Sequence, residues 1–450
     1  MLPTTLDSHH SPATLKSPCP TRLSPAELSY SAFRTFLLNN EPCLLPREVV
    51  EAWPICQHWR LRPTSTTVVD PSSEAASTST PNYEYLRANL GHYPLPPVVD
   101  QSCLRVTPDA PSAFGSLLDL WRNGEGRSLY LKDWHLPAIF ESQVAASGVL
   151  NRDQSYGFYE VPGLWRDDWL NRYHLANSND DFRFVYAGGA DTFTPLHRDV
   201  FDSYSISTNI IGAKRWYLFP PELTATLEPM LAKAGRDSGW VNVEEWDTQQ
   251  KEEFISKGMM VFVQEEGETL FVPSGWHHHV TNLSHPTISL NHNWINAHNI
   301  SATYRSLARE GLRCAQSISD VKELLQHHSK NDWRPRWARC VSDLLDQSAG
   351  WGWSTFWAMT LFALKDCRHH PKETASSHWP AVTSDLQPPL QYLVVQVNLP
   401  EFHLAFQIQP LLADFLSREE AEHMYLPGLS ELLACITDQL NVLEELAKAP

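Results

Sequence analysis

Six short runs of β-branched and aromatic residues between positions 128 and 295 constrain the fold of this chain more than any other feature. Each run is bounded by Gly, Pro, Asn or Asp, residues that end strands and form turns. The runs are SLYLKDWHL (128–136), FRFVYAGG (182–189), KRWYLFPP (214–221), GMMVFV (258–263), ETLFVP (268–273) and TISLNHNWI (287–295). Short strands at this spacing are typical of sandwiches and barrels, so they predict a mainly β jelly roll.

Helical patterns flank the β-rich region on both sides. Residues 24–38 and 113–122 have helical spacing, and apolar residues recur every three or four positions after residue 300. Segments at 63–80 and 371–390, rich in Ser, Thr or Pro, are predicted to be loops. The chain is therefore predicted to have four regions: a disordered N-terminal tail (1–24), a helical and β region that supports the core (25–127), a catalytic jelly roll (128–300) and an α-helical C-terminal domain (301–450).

The acidic charge of the chain limits the classes of partner. Lys and Arg number 35 against 52 Asp and Glu, which gives a formal net charge of −17. Such a chain repels phosphate backbones, so we predict no nucleic-acid partner, whereas a basic protein substrate is compatible. No run of about 18 uninterrupted apolar residues occurs, so no membrane span is predicted. The eight cysteines include no CxxC pair, which favours reduced thiols and a cytoplasmic or nuclear location.

The segment TFTPLHRDVF at 192–201 indicates a metal site. Side chains alternate between the faces of an extended strand, so His197 and Asp199 point the same way. A third ligand is available from FVPSGWHHHVTNL (271–283). Two histidines and one carboxylate occupy one face of an octahedral ferrous ion and leave three positions open for 2-oxoglutarate and O₂. Zinc accepts the same ligands, so affinity alone does not choose the metal.

An HxD pair alone is weak support, because a surface pair or a hydrogen-bonded core pair explains it equally well in a chain with 20 histidines. Its order with other segments is more specific: GAKRWYLFPP follows it, and VPSGWHH lies further along the chain. In this order the segments resemble those of the JmjC-domain oxygenases, most closely the jumonji-domain-containing protein 4 family of release-factor lysyl hydroxylases. The segments that carry the resemblance are LYLKDWHL, FRFVYAGG, HRDVFDSYSISTNIIGAKRWYLFPP and GETLFVPSGWHHHVTNLSHPTISLNHNWIN.

The resemblance covers residues 128–300 and implies a fold, an activity and a substrate. It implies a double-stranded β-helix, the cupin-like JmjC core, that uses Fe(II), 2-oxoglutarate and O₂. The implied reaction hydroxylates a lysine side chain of a translation termination factor, with succinate and CO₂ as co-products.

The family pattern also implies which residues bind the metal. The ligand histidine lies five residues after the strand proline and four before an Asn-Leu pair, so Pro273 and Asn282 select His278. Strand alternation puts His277 and His279 on the opposite face, where packing is the expected role. His277 stays open as an alternative ligand.

The resemblance assigns five residues to the cosubstrate. Lys214, in GAKRW, matches the lysine that binds the distal carboxylate of 2-oxoglutarate, although an ordinary strand-end lysine would look the same. Thr194 and Tyr130 match positions of cosubstrate hydroxyls, and Asn291 matches a polar position on the last core strand. Ser207 lies where some relatives carry Asn. For these last four residues, structural hydrogen bonding is the competing interpretation.

Three hypotheses of function follow. Protein hydroxylation is the first, and JmjC-type lysine demethylation by the same oxidant is the second; the lack of Cys/His finger spacing speaks against demethylation. The third is a non-enzymatic cupin-like binding module, which the apparently complete ligand set and Lys214 disfavour. Two further segments are ambiguous. The acidic segment at 240–254 is predicted to be a lid or a surface helix, and the Trp-rich segment at 351–362 either packs internally or forms a homodimer interface.

Overall fold

The computed structural model describes residues 17–62, 79–147, 159–178, 180–237, 239–328, 332–369, 401–418 and 422–448. The strands within these residues form a larger sheet of order β1-β2-β12-β9-β14-β7-β6-β5, a smaller sheet of order β11-β10-β13-β8, and a β3-β4 ribbon. The strands are β1 (Thr21–Arg22), β2 (Cys43–Leu45), β3 (Arg60–Leu61), β4 (Thr80–Pro81), β5 (Val99–Asp100), β6 (Leu129–Trp134), β7 (Arg183–Gly188), β8 (Phe193–His197), β9 (Tyr204–Ile211), β10 (Lys214–Phe219), β11 (Met260–Gln264), β12 (Thr269–Val272), β13 (His277–Asn282) and β14 (Thr287–Trp294). The predicted jelly-roll class is confirmed.

The helices lie before, between and after the core strands. They are α1 (Tyr30–Asn39), α2 (Pro54–His58), α3 (Tyr83–Leu90), α4 (Phe114–Arg122), α5 (Leu136–Ser147), α6 (Trp169–Asn177), α7 (Thr224–Asp237), α8 (Thr248–Ser256), α9 (Ile300–Ser317), α10 (Ser319–His328), α11 (Trp333–Ala349), α12 (Trp353–His369), α13 (Glu401–Ser417), α14 (Glu422–Tyr425) and α15 (Leu429–Lys448). None of these helices, over the described residues, is long and apolar enough to cross a membrane.

Strand β9 lies near the middle of the larger sheet, yet it was not among the six predicted runs. Its apolar side chains, including Ile206 and Ile210, pack in the hydrophobic core beneath the N-terminal helices. The alternate residues Ser205 and Ser207 are polar and equally buried. The strand does alternate with period two, but both of its faces are buried. Its polar face points toward the candidate site, which explains why the run does not look like a core strand.

The N-terminal region adds more to the core than the sequence predicted. The interpretation of residues 1–24 as a disordered tail is wrong for Thr21–Arg22, because β1 pairs in parallel with β2 at the edge of the larger sheet. The predicted first helix starts at Tyr30 rather than near Ser24, because Ser29 caps it by accepting from the backbone N–H of Ala32. Residues 1–16, the predicted loop at 371–390 and nearly all of that at 63–80 lie outside the described residues.

The two ambiguous segments each pack against the rest of the protein. The 240–254 segment contains a short 3-10 helix and most of α8, and Glu244 fixes it to the outside of the smaller sheet. The Glu244 carboxylate accepts from Tyr217 Oη at 2.8 Å and Thr281 Oγ1 at 2.9 Å, and it pairs with Arg215 at 3.0 Å. The segment is therefore a surface helix rather than a lid.

The tryptophans of the 351–362 segment belong to the core of the C-terminal helices. Trp353 and Trp357 are at most 2% exposed and pack against Phe415 of α13, with ring centroids 4.7 and 5.5 Å apart. Internal packing therefore accounts for the aromatic character of this segment without a dimer interface.

Candidate metal centre

Strand register brings His197, Asp199 and His278 together. His197 ends β8 and pairs with His278 of the neighbouring β13, so the two imidazole centroids are 4.2 Å apart. Asp199 lies two residues after His197, and its Oδ1 is 3.9 Å from His278 Nε2. Each residue offers one donor atom, and the three donors lie within 4.8 Å of one another. The spacing is that of ligands around one ion.

Hydrogen bonds leave the correct donor atom of each ligand free. His197 Nδ1 lies 2.7 Å from the carbonyl oxygen of Pro195, and His278 Nδ1 lies 3.2 Å from that of Trp276. A carbonyl can only accept, so each Nδ1 carries the proton and each Nε2 lone pair is available. Ser205 donates to Asp199 Oδ2 at 2.5 Å, which leaves Oδ1 for a metal. The set of two imidazoles and one carboxylate suits ferrous iron.

Burial keeps His197 ready to bind a cation. Loss of solvent, together with electrostatic repulsion from the neighbouring His278, lowers the pKa of His197 to about 4 although Asp199 opposes the shift. The imidazole is therefore neutral at pH 7, which is the form that coordinates a metal.

The neighbouring histidines of HHH lie outside the ligand group, as strand alternation predicted. His279 stacks on Phe193 with ring centroids 5.4 Å apart, and its Nε2 is 3.2 Å from Thr281 Oγ1. His277 and His279 are both buried, and burial lowers the pKa of each to about 3. The alternative of His277 as ligand is not the arrangement in the structure, which places His278 in the group.

The C-terminal helices support the loop that follows Asp199. Phe201 and Asp202 both have positive φ, at 63° and 49°, which non-glycine residues rarely adopt. Phe201 packs on Trp351 with ring centroids 4.1 Å apart, and Arg309 of α9 pairs with Asp202 at 2.7 Å. These contacts stabilise a turn that redirects the chain from Asp199 into β9.

A second cluster of ligand-type residues is explained by charge pairing. His135, Asp180 and Asp181 lie close together. Asp181, however, also accepts from Arg183 Nε at 2.6 Å, and its hydrogen bond to His135 raises the pKa of that imidazole. Asp181 thus already has Arg183 and His135 as partners, which explains the cluster without a metal.

Ser205 provides a test of ligand orientation. We expect Ser205→Ala to weaken Mn(II) or Fe(II) binding about 10- to 100-fold, because hydrogen-bonding partners of metal ligands have effects of this size. The affinity can be measured by anaerobic titration of the metal-free protein. Ser203→Ala is the control, because Ser203 is also buried but accepts from Asn293 instead. An unchanged affinity in Ser205→Ala would contradict the orienting role.

Lys214 lies in the space between the two sheets. Its Nζ donates to Ser289 Oγ of the larger sheet at 2.6 Å, and the side chain is buried. Burial lowers the pKa of Lys214 to about 7. No carboxylate among the described residues forms an ion pair with it. A buried ammonium of this kind can pair with an anionic group of a ligand.

The other predicted cosubstrate residues surround the same space. Asn291 Oδ1 accepts from Ser207 Oγ at 3.1 Å and from Ser289 Oγ at 3.4 Å. On the other side, Tyr130 Oη and Thr194 Oγ1 are 2.7 Å apart.

Two residues here were not predicted from the sequence. Ser289 lies on the same face of β14 as Asn291, and period-two alternation from Asn291 would have found it. Tyr186 pairs with Ser289 across the sheet, and its ring centroid is 6.0 Å from Lys214 Nζ. The Tyr130 and Tyr186 ring centroids are 6.5 Å apart. Tyr186 therefore lies near both Lys214 and the Tyr130–Thr194 pair.

Sequence comparison places the chain among known proteins. A profile of the cupin-like domain matches residues 29–299. The chicken 2-oxoglutarate and iron-dependent oxygenase JMJD4 is 31% identical over 309 residues, which cover 67% of this chain and 64% of the chicken protein. The human protein of the same name is 30% identical over 320 residues, 69% of this chain and 68% of that protein.

A plant relative is named for a different activity. The Arabidopsis thaliana arginine-specific demethylase JMJ20 is 30% identical over 322 residues, which cover 67% of this chain and 63% of that protein. The chain spans just under two thirds of the chicken and zebrafish oxygenases, at 64% and 66% of their lengths.

Proposed function

The chain belongs to the cupin-like JmjC-domain family, and on that premise we propose that it is an Fe(II)- and 2-oxoglutarate-dependent oxygenase. The observation that carries the proposal is the pairing of a His-Asp-His group with a buried Lys214, which has no carboxylate partner among the described residues, on adjoining strands. A binding module with a structural metal has no need for the buried ammonium, which is costly to desolvate.

The residues of the site divide between the metal and the cosubstrate. His197, Asp199 and His278 would hold Fe(II). Together with 2-oxoglutarate and O₂, bound iron would supply the chemistry that oxidises a C–H bond, with succinate and CO₂ as co-products. Lys214 and Ser289 would bind the distal carboxylate of 2-oxoglutarate. Hydrogen-bonding groups for the cosubstrate come from the remaining predicted positions: Tyr130, Thr194, Ser207 and Asn291.

The finer part of the proposal concerns the substrate. We infer that the enzyme hydroxylates a lysine side chain of a translation termination factor. The support is the resemblance of the motif segments to the release-factor hydroxylases and a net charge of −17, which suits a basic substrate. A cytoplasmic location belongs to the same proposal, because translation terminates there.

Mass spectrometry tests the reaction and the substrate together. Protein purified without oxygen is incubated with Fe(II), 2-oxoglutarate, O₂ and the termination factor, and succinate is quantified in parallel. We expect succinate and a mass gain of one oxygen atom on a lysine of the factor. Absence of both would contradict the proposed oxygenase, whereas succinate formation without modification of the factor would contradict only the substrate.

Demethylation is the second candidate, because the plant relative is named an arginine-specific demethylase. The same oxidation directed at an N-methyl group releases formaldehyde and leaves no added oxygen on the product. Formaldehyde from methylated lysine or arginine peptides would therefore favour this activity. Bound zinc with no cosubstrate turnover would favour a binding module instead.

Lys214 makes cosubstrate binding depend on pH. Its pKa of about 7 lies far below the ordinary 10.5 because of burial, and a carboxylate beside Nζ raises it again. Above pH 7, binding must be accompanied by proton uptake. The apparent Kd of 2-oxoglutarate is therefore expected to rise, by at most about tenfold per pH unit, between pH 7.5 and 9. Calorimetry with Mn(II) in buffers of different ionisation enthalpy would measure both the affinity and the proton uptake.

In the unliganded protein, the effect of Lys214 on folding stability changes with pH in the opposite direction to its effect on 2-oxoglutarate affinity. Between pH 7 and 10.5 the unfolded chain keeps the Lys214 proton that the folded chain has lost. The unfolded state binds more protons in this window, so Lys214 makes the unliganded protein more stable as pH rises. Lys214→Met should remove this contribution and the pH dependence of binding. A pH dependence of 2-oxoglutarate affinity that is unchanged in Lys214→Met would contradict the assignment.

A further inference from the structure

Strand β6 has a bulge beside Tyr186 of β7. Leu131 pairs with Ala187 and Trp134 pairs with Val185, so two residues, Lys132 and Asp133, stand opposite the single residue Tyr186. Asp133 has φ +53°, a conformation that is rare outside glycine but more accessible to Asp and Asn than to other residues. Bulges of this kind redirect side chains and occur often beside active sites.

The bulge places Asp133 beside Tyr186, which also lies near Lys214. Tyr186 Oη donates to Asp133 Oδ1 at 2.6 Å, while its ring lies 6.0 Å from Lys214 Nζ. Burial raises the pKa of Tyr186, and the negative charges of Asp133 and Asp199 raise it further. Tyr186 therefore lies between the exposed Asp133 and the buried Lys214.

Asp133 is available to a ligand. It is exposed, and within the described residues its carboxylate has only the one hydrogen bond, from Tyr186. The phenol holds Oδ1 in place and leaves Oδ2 free to accept from a donor that enters from solvent. An ammonium or guanidinium is the donor that a free carboxylate binds most strongly.

The charges around the site determine where such a cation would bind. The Lys214 ammonium is buried on the cosubstrate side, where it donates to Ser289. A substrate cation is therefore attracted to the exposed carboxylate of Asp133 rather than to the side of the site that holds the Lys214 ammonium.

An apolar wall continues from Tyr186 along the same face of β7. Phe184 is half-buried, and its ring centroid lies 6.2 Å from that of Tyr186. Half-buried aromatic rings on the face that looks into the cavity can cover the methylene groups of a long side chain.

We propose that Asp133 is a specificity-determining residue that binds the terminal cation of a substrate lysine or arginine, so that the carbon chain, and not the nitrogen, faces the metal. The inference rests on the proposed oxygenase and deepens it. It accounts for C–H hydroxylation in preference to N-demethylation, because a nitrogen paired with Asp133 is held away from the ligand group.

Peptide pools with one fixed position test the proposal. Each pool has randomised flanking residues around a central lysine, arginine, leucine or glutamate, and is incubated with enzyme, Fe(II), 2-oxoglutarate and O₂. We expect a lysine or arginine pool to increase succinate formation and to gain oxygen at the central residue. In Asp133→Asn, kcat/KM for that pool should fall about 10- to 100-fold through a higher KM, since a hydrogen bond to a charged group is lost.

Asp191→Asn is the matched control. Asp191 is also exposed with positive φ, at 67°, in the turn between β7 and β8, and asparagine tolerates this backbone as aspartate does. We expect it to keep the wild-type kcat/KM for the pool. Thermal shift with Mn(II) and N-oxalylglycine, an inert analogue of 2-oxoglutarate, checks that Asp133→Asn still folds and binds both.

The outcomes separate the two proposals. Equal use of all four pools, use of none, preference for leucine or glutamate, or equal losses in Asp133→Asn and Asp191→Asn would each overturn the role of Asp133. Failure of the wild type to form succinate even without peptide would instead overturn the proposed oxygenase. Formaldehyde from methylated pools with Asp133→Asn as active as wild type would favour the demethylase.

Discussion

Replacement of His278 by alanine is expected to reduce 2-oxoglutarate turnover by about a thousandfold or more. The variant removes one of three donors that lie within 4.8 Å of one another, and the two that remain, His197 and Asp199, cannot fill one face of an octahedral ion. Metal affinity should fall with activity. Succinate formation and Fe(II) titration under anaerobic conditions measure the two effects separately.

His279→Gln is the matched control for this prediction. His279 is the next residue on the same strand and is equally buried, but it faces Phe193 and Thr281 on the other side of the sheet. A glutamine there can keep a hydrogen bond to Thr281, so metal affinity should stay close to that of the wild type. If His279→Gln lost the metal while His278→Ala kept it, the assignment of the third ligand would be wrong.

The second large effect is expected at Lys214. We predict that Lys214→Met raises the KM for 2-oxoglutarate about a hundredfold or more, because truncating one partner of a buried charge pair leaves the other charge unpaired. The unliganded variant should be at least as stable as the wild type. In the wild type, the buried ammonium of Lys214 has Ser289 as a hydrogen-bond partner but no carboxylate among the described residues. Methionine therefore removes the cost of desolvating that charge.

Lys251→Met controls for the loss of a lysine at another position. Lys251 donates from α8 to the backbone carbonyl of Glu244, on the outside of the smaller sheet. Its replacement should leave the KM for 2-oxoglutarate unchanged. Steady-state kinetics and thermal unfolding of both variants give the comparison. A wild-type KM in Lys214→Met would remove the cosubstrate role of the buried ammonium.

Both expected effects concern side chains that point into the interior of the jelly roll, which is polar around the candidate site. Ser205 and Ser207 of β9 face the same interior, where the first orients Asp199 and the second contacts Asn291. Interior strand positions are usually filled with apolar side chains. Here their polarity provides hydrogen-bond partners for Asp199 and Asn291.

The sequence predicted the fold class and two of the three residues of the candidate metal group. The period-two alternation of TFTPLHRD puts His197 and Asp199 on one face without knowledge of any other strand. The short runs bounded by turn residues likewise indicate a jelly roll, since both signals depend only on residues close together in the chain. The choice of His278 and the cosubstrate role of Lys214 needed the resemblance to a family as well.

Other features depended on strand neighbours that the sequence alone does not give. Period-two alternation assigns a side chain to a face, but the pairing register decides which other side chains it meets. His278 meets His197 only because β13 lies beside β8, and Tyr186 meets Asp133 only because β6 bulges opposite it. Strand β9 was missed because its interior face carries Ser205 and Ser207, so the segment lacks the largely apolar or aromatic run that marked the other strands. The order of residues along the chain determined which side chains are available and which strand face each one occupies. Long-range hydrogen bonding between strands decided which of these side chains form a site.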